Sequence, residues 1–456
     1  MFNRKFIAGQ LRFWQFTLPA ALFILSVYMI LRLEYPLAGF TEWLLWISRL
    51  DPLLLFAYSG ASHAIPHWVW LPVAVLLITA LAGRIYCGWI CPVGGLLGLL
   101  PNLTRYFPRR GVRAGLAGRG ILNFLAKLKY WWLLLVVALL FAGNSILLIF
   151  TPSALLSHEI MRLYFQQIPW LLFAALGLGL VFFPRFWCVY VCPSGILMAA
   201  VACIRPAKLR IAAGCVDCGL CHNVCPVKTG KEKQGAAGGE CLVCAACWSV
   251  CPVSAVTWKQ ISPRTEGAGQ SRRDFITVGI GIIGAGFLSF FASGLFGRSR
   301  AAAQVLRPPG ALPENDFLAT CTRCGRCTKV CPSAALVPMP FASGLITFET
   351  PRFVPRKGRC ELCMLCPKVC PSGALKDVAV ADVKIGTAAI DKKTCLAWAQ
   401  GKLCLVCAEQ CPVHAVVMDE AKRPAIDAGK CVGCGACENS CPLEDPAVVV
   451  APKSTL

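Results

Sequence analysis

Five groups of four cysteines in this 456-residue chain share one spacing, and each group is followed by proline. The order is C-x2-C-x2-C-x3-C-P, so three thiols lie close together along the chain and the fourth immediately precedes the proline. This is the ligand pattern of bacterial [4Fe–4S] ferredoxins. The five groups are Cys215, Cys218, Cys221 and Cys225; Cys241, Cys244, Cys247 and Cys251; Cys321, Cys324, Cys327 and Cys331; Cys360, Cys363, Cys366 and Cys370; and Cys431, Cys434, Cys437 and Cys441.

A sixth group is a variant, in which a longer loop separates the first cysteine from the other three. Its members are Cys395, Cys404, Cys407 and Cys411. The six groups use 24 of the 29 cysteines and predict six [4Fe–4S] clusters. Structural zinc sites are also built from C-x2-C pairs, but the repeated C-P ending favours iron–sulfur clusters over zinc.

The pairing of these groups follows from the way two-cluster ferredoxins are built. The fourth cysteine of one group ligates the cluster of the other group. Cys225 is therefore expected to complete the site of Cys241, Cys244 and Cys247, and Cys251 is expected to complete the first site. The last four groups could pair sequentially or in a nested order, first with fourth, and the spacing favours neither.

Four further cysteines belong to a repeated segment. RIYCGWICPVGGL at 84–96 and RFWCVYVCPSGIL at 185–197 match in an Arg, two aromatic positions, a C-x3-C-P turn and a Gly. The repeat predicts two helical hairpins related by a pseudo-twofold axis, each with its cysteine pair at the cytoplasmic face. These cysteines could hold a redox or metal centre, or they could be ordinary reduced thiols. They are Cys87, Cys91, Cys188 and Cys192, while the isolated Cys203 is expected to be a buried apolar residue.

The first half of the chain, which contains the repeated segments, is predicted to consist of membrane spans. The chain is 57% hydrophobic and 15% charged, with a mean hydropathy of +0.62, which is too apolar for an ordinary soluble protein. Apolar segments of roughly the ~20 residues that a bilayer requires predict four spans and a fifth, later one. These segments are 13–31, 66–83, 130–150, 168–183 and 276–297.

The charge distribution orients these spans. The first 300 residues carry a net charge of +18, out of +22 for the whole chain. Segment 84–129 has eight Lys and Arg residues and no acid, whereas 32–65 has three acidic residues and two arginines. By the positive-inside rule, the N-terminus, 84–129 and 206–275 are cytoplasmic, and 298–456 is periplasmic. Because the basic half has so little polar surface, nucleic-acid binding is not expected.

The segment SRRDFITVGIGIIGAG at 271–286 matches a twin-arginine export signal, with Arg272 and Arg273 as its paired arginines. Such a signal exports folded, cofactor-bearing protein, which suits a domain with four cluster groups. Segment 276–297 contains six glycines, so it is only weakly apolar, as expected of such a signal. The alternative is a plain fifth span preceded by two chance arginines. Residues 301–303 also resemble a signal-peptidase site, where cleavage after Ala303 would release the last domain.

Together these features predict four domains. Residues 1–205 form an α-helical membrane domain of four spans, 206–260 a cytoplasmic two-cluster ferredoxin domain, 261–300 a linker with the export signal and a fifth, signal-anchor span, and 301–456 a periplasmic four-cluster domain. The cluster domains are expected to have the α+β fold of bacterial 2[4Fe–4S] ferredoxins. The chain would lie in the bacterial cytoplasmic membrane with its N-terminus in the cytoplasm. Acid–base residues near the periplasmic span ends, among them His158 and Glu159, could accept protons from a quinol or could simply be solvated.

The motifs of 1–260 resemble the NapH-type membrane ferredoxins, which have four spans, two C-x3-C-P turns and two cluster groups. Residues 271–456 resemble the NapG/MauM-type polyferredoxins exported by the twin-arginine translocase, including the CLAW variant at Cys395. The chain therefore looks like a fusion of both. The resemblance implies the electron-transfer component of a quinol dehydrogenase, feeding a periplasmic reductase of the nitrate-reductase type or a cytochrome.

The expected function is thus electron transfer from menaquinol or ubiquinol to a periplasmic acceptor. The sequence contains many one-electron centres and no flavin, nucleotide or substrate-site motif. The alternative is a redox maturation or maintenance factor for a periplasmic metalloenzyme. One gap remains: the inner and outer cluster groups lie on opposite sides of ~30 Å of hydrocarbon, and no span residue bridges them.

Overall fold

The computed structural model of this protein describes residues 4–34, 41–62, 65–103, 119–212, 214–227, 239–260 and 305–452. The α-helices of the first part are α1 (Arg4–Leu31), α2 (Thr41–Arg49), α3 (Pro52–Ser62), α4 (Trp70–Ala82), α5 (Pro92–Leu103), α6 (Arg119–Phe141), α7 (Pro152–Tyr164), α8 (Trp170–Val181) and α9 (Pro193–Val201). Shorter helices follow: α10 (Leu220–Val224), α11 (Ala246–Val250), α12 (Glu314–Thr320), α13 (Arg326–Val330), α14 (Leu365–Lys368), α15 (Leu396–Ala399), α16 (Val406–Glu409) and α17 (Ala436–Asn439). The strands are β1 (Ala207–Ile211), β2 (Val256–Gln260), β3 (Leu336–Pro338), β4 (Pro351–Phe353), β5 (Gly386–Ile390), β6 (Val416–Met418), β7 (Pro424–Ile426) and β8 (Val448–Pro452).

Helices lie at each of the first four predicted spans. Within the described residues, Phe13–Leu31 of α1 is long and apolar enough by itself to cross a bilayer. The apolar stretches Trp70–Ala82, Leu128–Phe141 and Trp170–Val181 are shorter than a span requires. They are short because each predicted span includes residues that leave the α-helix; for example, α6 gives way to a 3₁₀ helix at Ile146–Phe150. The four-span membrane domain therefore stays a prediction, and the fifth span lies outside the described residues.

The two repeated segments fold alike. Each begins with a five-residue π-helix, Tyr86–Ile90 or Trp187–Val191, that contains the first cysteine of the pair. The second cysteine is extended, and the next helix, α5 or α9, begins at the following proline. Proline suits this first helical position because its missing N–H has no partner to lose. The predicted repeat is thus present as two matching turns.

The two cysteine-rich parts contact opposite ends of the helices. Residues 239–243 lie against the end of α4, where Glu240 pairs with Arg84, and Glu240 also pairs with Lys129 in the middle of α6. Residues 317–329 lie instead beyond the end of α6 and at α7, where Ser145 donates to the carbonyls of Leu318 and Cys321. The placement of 206–260 in the cytoplasm and 301–456 in the periplasm stays a prediction.

Small antiparallel sheets frame the cysteine groups. β1 pairs with β2 around the first two groups, and β5 pairs with β8 around the last two. Inside the latter frame, β6 and β7 form a hairpin. Residues 305–375 repeat the plan in reduced form: β3 pairs with β4, and a single bridge joins Ala311 to Leu375. The described parts thus have the α+β character expected of ferredoxin-like domains.

Candidate iron–sulfur sites

The four outer cysteine groups pair sequentially. Three cavities of 310–410 Å³ each collect three cysteines of one group and the fourth of its neighbour. Cys331 joins the second outer group, Cys411 joins the last, and Cys441 joins the variant. Cys370 completes the remaining set, because burial raises the pKa of Cys321, Cys324 and Cys327 and the nearby Cys370 thiolate adds to this effect at all three. The first group therefore exchanges its fourth cysteine with the second, and the third with the fourth. The nested order does not occur.

In the first two cysteine groups, the structure shows the exchange of one fourth cysteine, that of Cys225. Burial raises the pKa of Cys247 to about 12, and the thiolates that add to this effect include Cys244, Cys241 and Cys225. Cys225 therefore lies beside the second group, where the spacing had predicted it. Cys203 is half-buried, and its thiol faces the Ala199 carbonyl at 3.4 Å.

The backbone around these groups fits an anionic cluster. In each of the five regular groups, the residues just before and just after the second cysteine have positive φ; in the first outer group these are Arg323 (57°) and Gly325 (70°). Left-handed residues at these positions turn successive backbone N–H groups to one side, which makes an anion-binding concavity. The variant lacks this feature at Leu405, where φ is −108°. Among the described residues, no three His, Cys, Asp or Glu side chains converge closely enough for a single metal ion. The backbone of the five regular groups thus suits an anionic cluster.

The four outer sites lie in sequence away from the helices. The first outer group touches α7, because a Cβ at Gly325 would lie 3.0 Å from Met161 Cγ. The second outer group contacts the last group directly, since the Cys360 N–H donates to the Cys434 carbonyl at 2.8 Å. The variant site is completed by Cys441 of the last group, so it follows that group in the row, and its loop exposes Leu403.

Two buried arginines fasten the first outer group to the helices. The Arg323 guanidinium donates to the carbonyls of Ile346, Phe348 and Cys321 and to Ser145 Oγ. Burial lowers its pKa to about 10. The side chain of Arg326 donates to two serines, Ser48 at 2.7 Å and Ser157 at 2.8 Å. These contacts come from the intervening residues of the cysteine motif itself, which the sequence analysis had not given a role.

The C-x3-C-P pairs meet in the interior of the helical domain. All four cysteines line one cavity of about 340 Å³. Pro152, at the start of α7, also lines it, and Ser194 Oγ donates to Asp51 at 2.8 Å. Pro152 and Asp51 belong to segments predicted on the periplasmic side. The structure thus buries both cysteine pairs among the π-helical turns and the segments around α3 and α7, and their location at the cytoplasmic face stays a prediction.

A buried acid–base cluster lies where α7 meets the outer domain. His158 Nδ1 is 2.8 Å from Glu159 Oε1, and its Nε2 is 3.8 Å from Glu349 of the outer domain. Arg162 donates to the same Glu349 oxygen at 2.8 Å. Burial disfavours the imidazolium, but the Glu159 and Glu349 carboxylates outweigh it and raise the pKa of His158 above its ordinary 6.5. Of the other histidines, His67 is exposed and His63 lies outside the described residues.

The acid–base residues around His158 predict a pH-dependent contact between α7 and the outer domain. His158 has a higher pKa when folded, so its stabilisation is fully present below pH 6.5 and is lost as pH rises through the folded value. Proteolysis of the outer domain is therefore expected to be faster at pH 8 than at pH 6. His158→Asn should flatten this pH difference, whereas His67→Asn should keep it. An unchanged pH profile in His158→Asn would contradict the assignment.

The export signal at Arg272 and Arg273 lies outside the described residues. Sequence reasoning also missed the contacts of Arg84, Arg185 and Glu240. Arg84 and Arg185 are the first residues of the two repeated segments, so the repeat could have indicated that they have equivalent roles. Glu240, next to Cys241, had no such signal, because only folding brings it to Arg84 and Lys129.

Family comparisons agree with these sites. Residues 64–109 and 167–212, which contain the C-x3-C-P turns, match a family described as a 4Fe-4S binding domain. Residues 320–374 and 402–444 match a 4Fe-4S dicluster domain, and 237–335 match a second dicluster family. The segments 320–374 and 402–444 each contain cysteines of two groups that the structure pairs.

Individual relatives are ferredoxin-type proteins. The chain is 38% identical over 173 residues to the ferredoxin-type protein NapG of Escherichia coli K12, covering 34% of this chain and 74% of NapG. It is 36% identical over 206 residues to the methylamine utilization ferredoxin-type protein MauM of Methylorubrum extorquens, covering 40% and 90%. It is also 30% identical over 171 residues to the putative electron transport protein YccM of Escherichia coli K12, covering 36% and 47%. No solved structure matches the chain.

Proposed function

Because this chain belongs to the NapG/MauM family of ferredoxin-type iron–sulfur proteins, we propose that it is a membrane-bound electron-transfer protein that draws electrons from the quinol pool. It would deliver them to a periplasmic reductase or cytochrome, as the electron-transfer component of a quinol dehydrogenase. Six [4Fe–4S] clusters, when bound, supply one-electron oxidation and reduction. The observation that carries the proposal is the row of four outer cysteine sites, which begins at the helices and ends at an exposed loop.

The contacts of the helical domain support placing the two cluster-binding parts on opposite sides of the membrane. Residues 239–260 hold one end of the helices and the outer domain holds the other, as a chain inserted with 206–260 in the cytoplasm and 301–456 in the periplasm requires. In this proposal, Arg272 and Arg273 direct the outer domain to the twin-arginine translocase, and 276–297 remains as its anchor. Four membrane spans, of the NapH type, would then hold the quinol-binding part.

The acid–base cluster on α7 supports quinol oxidation next to the first outer site. Quinol oxidation releases protons together with electrons, so a proton acceptor must lie close to the first electron acceptor. His158 and Glu159 lie on the helix whose Met161 contacts Gly325 of the first outer group. Glu159 Oε2 accepts from the Leu172 N–H at 3.1 Å, which fixes its carboxylate toward His158. We assign His158 as the first proton acceptor.

Proteoliposomes test this function. The purified, cluster-loaded chain is given menaquinol or ubiquinol and an artificial acceptor confined to the side of the outer domain. We expect quinol to bleach the iron–sulfur absorbance and to reduce the acceptor. His158→Gln should slow quinol oxidation at least tenfold, whereas His67→Gln, at an exposed histidine, should not. Full bleaching by dithionite with none by either quinol would contradict the proposal.

A second candidate is a redox maturation or maintenance factor for a periplasmic metalloenzyme. The relative MauM, 90% of whose length is covered, is named for methylamine utilization and not for a reductase, so a different acceptor is compatible with the family. This function would use the same row of sites but a different acceptor. Reduction of the acceptor enzyme's bound metal or thiols, without turnover of a small oxidised substrate, would separate it from a reductase partner.

A further inference from the structure

The C-x3-C-P motif differs from the ferredoxin motif, but in the folded helical domain four cysteines line one cavity, as they do at the ferredoxin-type sites. We propose that its cysteines jointly bind one further iron–sulfur cluster, shared between the two repeats and held midway between the inner and outer groups. The ligands would be Cys87, Cys91, Cys188 and Cys192. This inference does not depend on quinol oxidation, because a shared centre would link the two groups whatever the electron donor is.

The size of the cavity supports a cluster. It measures about 340 Å³, and the three outer cavities that each collect four cysteines measure 310, 390 and 410 Å³. As in those sites, four cysteines line it. Four thiolates around one cavity are the ligand set of a [2Fe–2S] or [4Fe–4S] cluster.

The repeats are locked to each other, so neither can form the site alone. Arg84 of the first repeat donates to the Cys188 carbonyl of the second at 2.9 Å, and Arg185 donates back to the Cys87 carbonyl at 2.7 Å. In both turns, the glycine that follows C-P has no room for a side chain. A Cβ at Gly94 or Gly195 would lie 2.4 Å from the carbonyl oxygen of the first cysteine in its own repeat.

The surroundings of the site suit an anionic group. The Gly94 N–H donates to Cys91 Sγ, and the Gly195 N–H donates to Cys192 Sγ, both at 3.4 Å. Two buried guanidinium groups, those of Arg84 and Arg185, lie beside the thiols.

A donor without a partner also borders the site. Trp187 lines the cavity and is 3% exposed, and within the described part of the chain its Nε1–H has no hydrogen-bond partner. A buried N–H left unpaired costs about 1–3 kcal/mol. The sulfur atoms of a bound cluster would be acceptors at this place.

The site also touches both sides of the protein. From the inner side, the Leu242 carbonyl packs so closely on the first turn that a Cβ at Gly88 would lie 2.9 Å away. From the outer side, Pro152 lines the cavity and Asp51 accepts from Ser194. The site therefore lies where the gap between the two cluster groups was expected.

Metal analysis of the full, anaerobically purified chain tests the inference. We expect iron and acid-labile sulfide to exceed the about 24 of each that six cubanes contain by two to four. Cys87→Ser and Cys188→Ser should each remove this whole excess, and the double variant should remove no more. Cys203→Ser, at the neighbouring lone thiol, should remove none. Dithionite-reduced EPR spectra should lose the same one signal in both single variants.

Each other outcome has a distinct meaning. If the two repeats held independent centres, the double variant would lose the sum of the iron lost by the two single variants. That result would overturn the shared site. Unchanged metal content in both variants, or an alkylation-resistant disulfide between these cysteines after anaerobic unfolding, would overturn a cluster altogether. If a variant does not accumulate, the iron-to-chain ratio of the unmodified protein decides alone, and a value at or below about 24 is then the contradicting result.

Discussion

Replacing Glu240 by alanine is expected to detach residues 239–260 from the helical domain, at a cost of about 3–5 kcal/mol. Glu240 pairs with both Arg84, which is fully buried, and Lys129, which is 7% exposed. Removing one partner of a buried ion pair leaves uncompensated charge in a medium of low dielectric constant, and here two cations would be left. The loss therefore exceeds that of an ordinary surface pair.

Protease cleavage within 239–260 measures this effect. When opening is fast relative to cleavage, the rate follows the population of the open form. At about 1.36 kcal/mol per tenfold change, we therefore expect an increase of roughly 150- to 5,000-fold in Glu240→Ala. The matched control is Glu361→Ala, whose partner Arg359 is 46% exposed. Exposed pairs contribute about 0–1 kcal/mol, so cleavage should change little. Equal rates in both variants would show that the contact with Arg84 and Lys129 does not hold this segment.

Replacing Cys370 by serine is expected to remove the cluster of the first outer group and to leave that of its own group in place. The sequential pairing gives Cys370 to the site of Cys321, Cys324 and Cys327, while Cys331 completes the other. Cysteine ligands bind as thiolates, and metal binding contributes directly to folding. Loss of one ligand should therefore also loosen the contact of this group with α7.

Thiol alkylation of the folded protein identifies which site is lost. In Cys370→Ser we expect Cys321, Cys324 and Cys327 to become reactive, with about four fewer irons per chain. Cys331→Ser should instead expose Cys360 and its group, and so serves as the reciprocal control. Labelling of Cys360 in the Cys370→Ser variant would mean that each group keeps its own fourth cysteine, contrary to the pairing found here.

The sequence alone determined the chemistry of this protein. The C-x2-C-x2-C-x3-C-P spacing is local, because three thiols within seven residues can surround one cluster whatever the rest of the chain does. The exchange of Cys225 with the following group was predictable for the same reason. The repeated C-x3-C-P turns were also visible, since a proline-led helix and a tightly packed glycine are local requirements.

The tertiary structure decided how these local units are connected. Sequential pairing of the outer groups, the burial of the four C-x3-C-P cysteines around one cavity, and the contacts of Glu240 all join residues far apart in the chain. Sequence spacing carries no information on such distances, because they depend on how separate helices and sheets pack. Asp51 and Ser194 are a clear example: span counting placed them on opposite sides, and packing in the helical interior brings them within 2.8 Å.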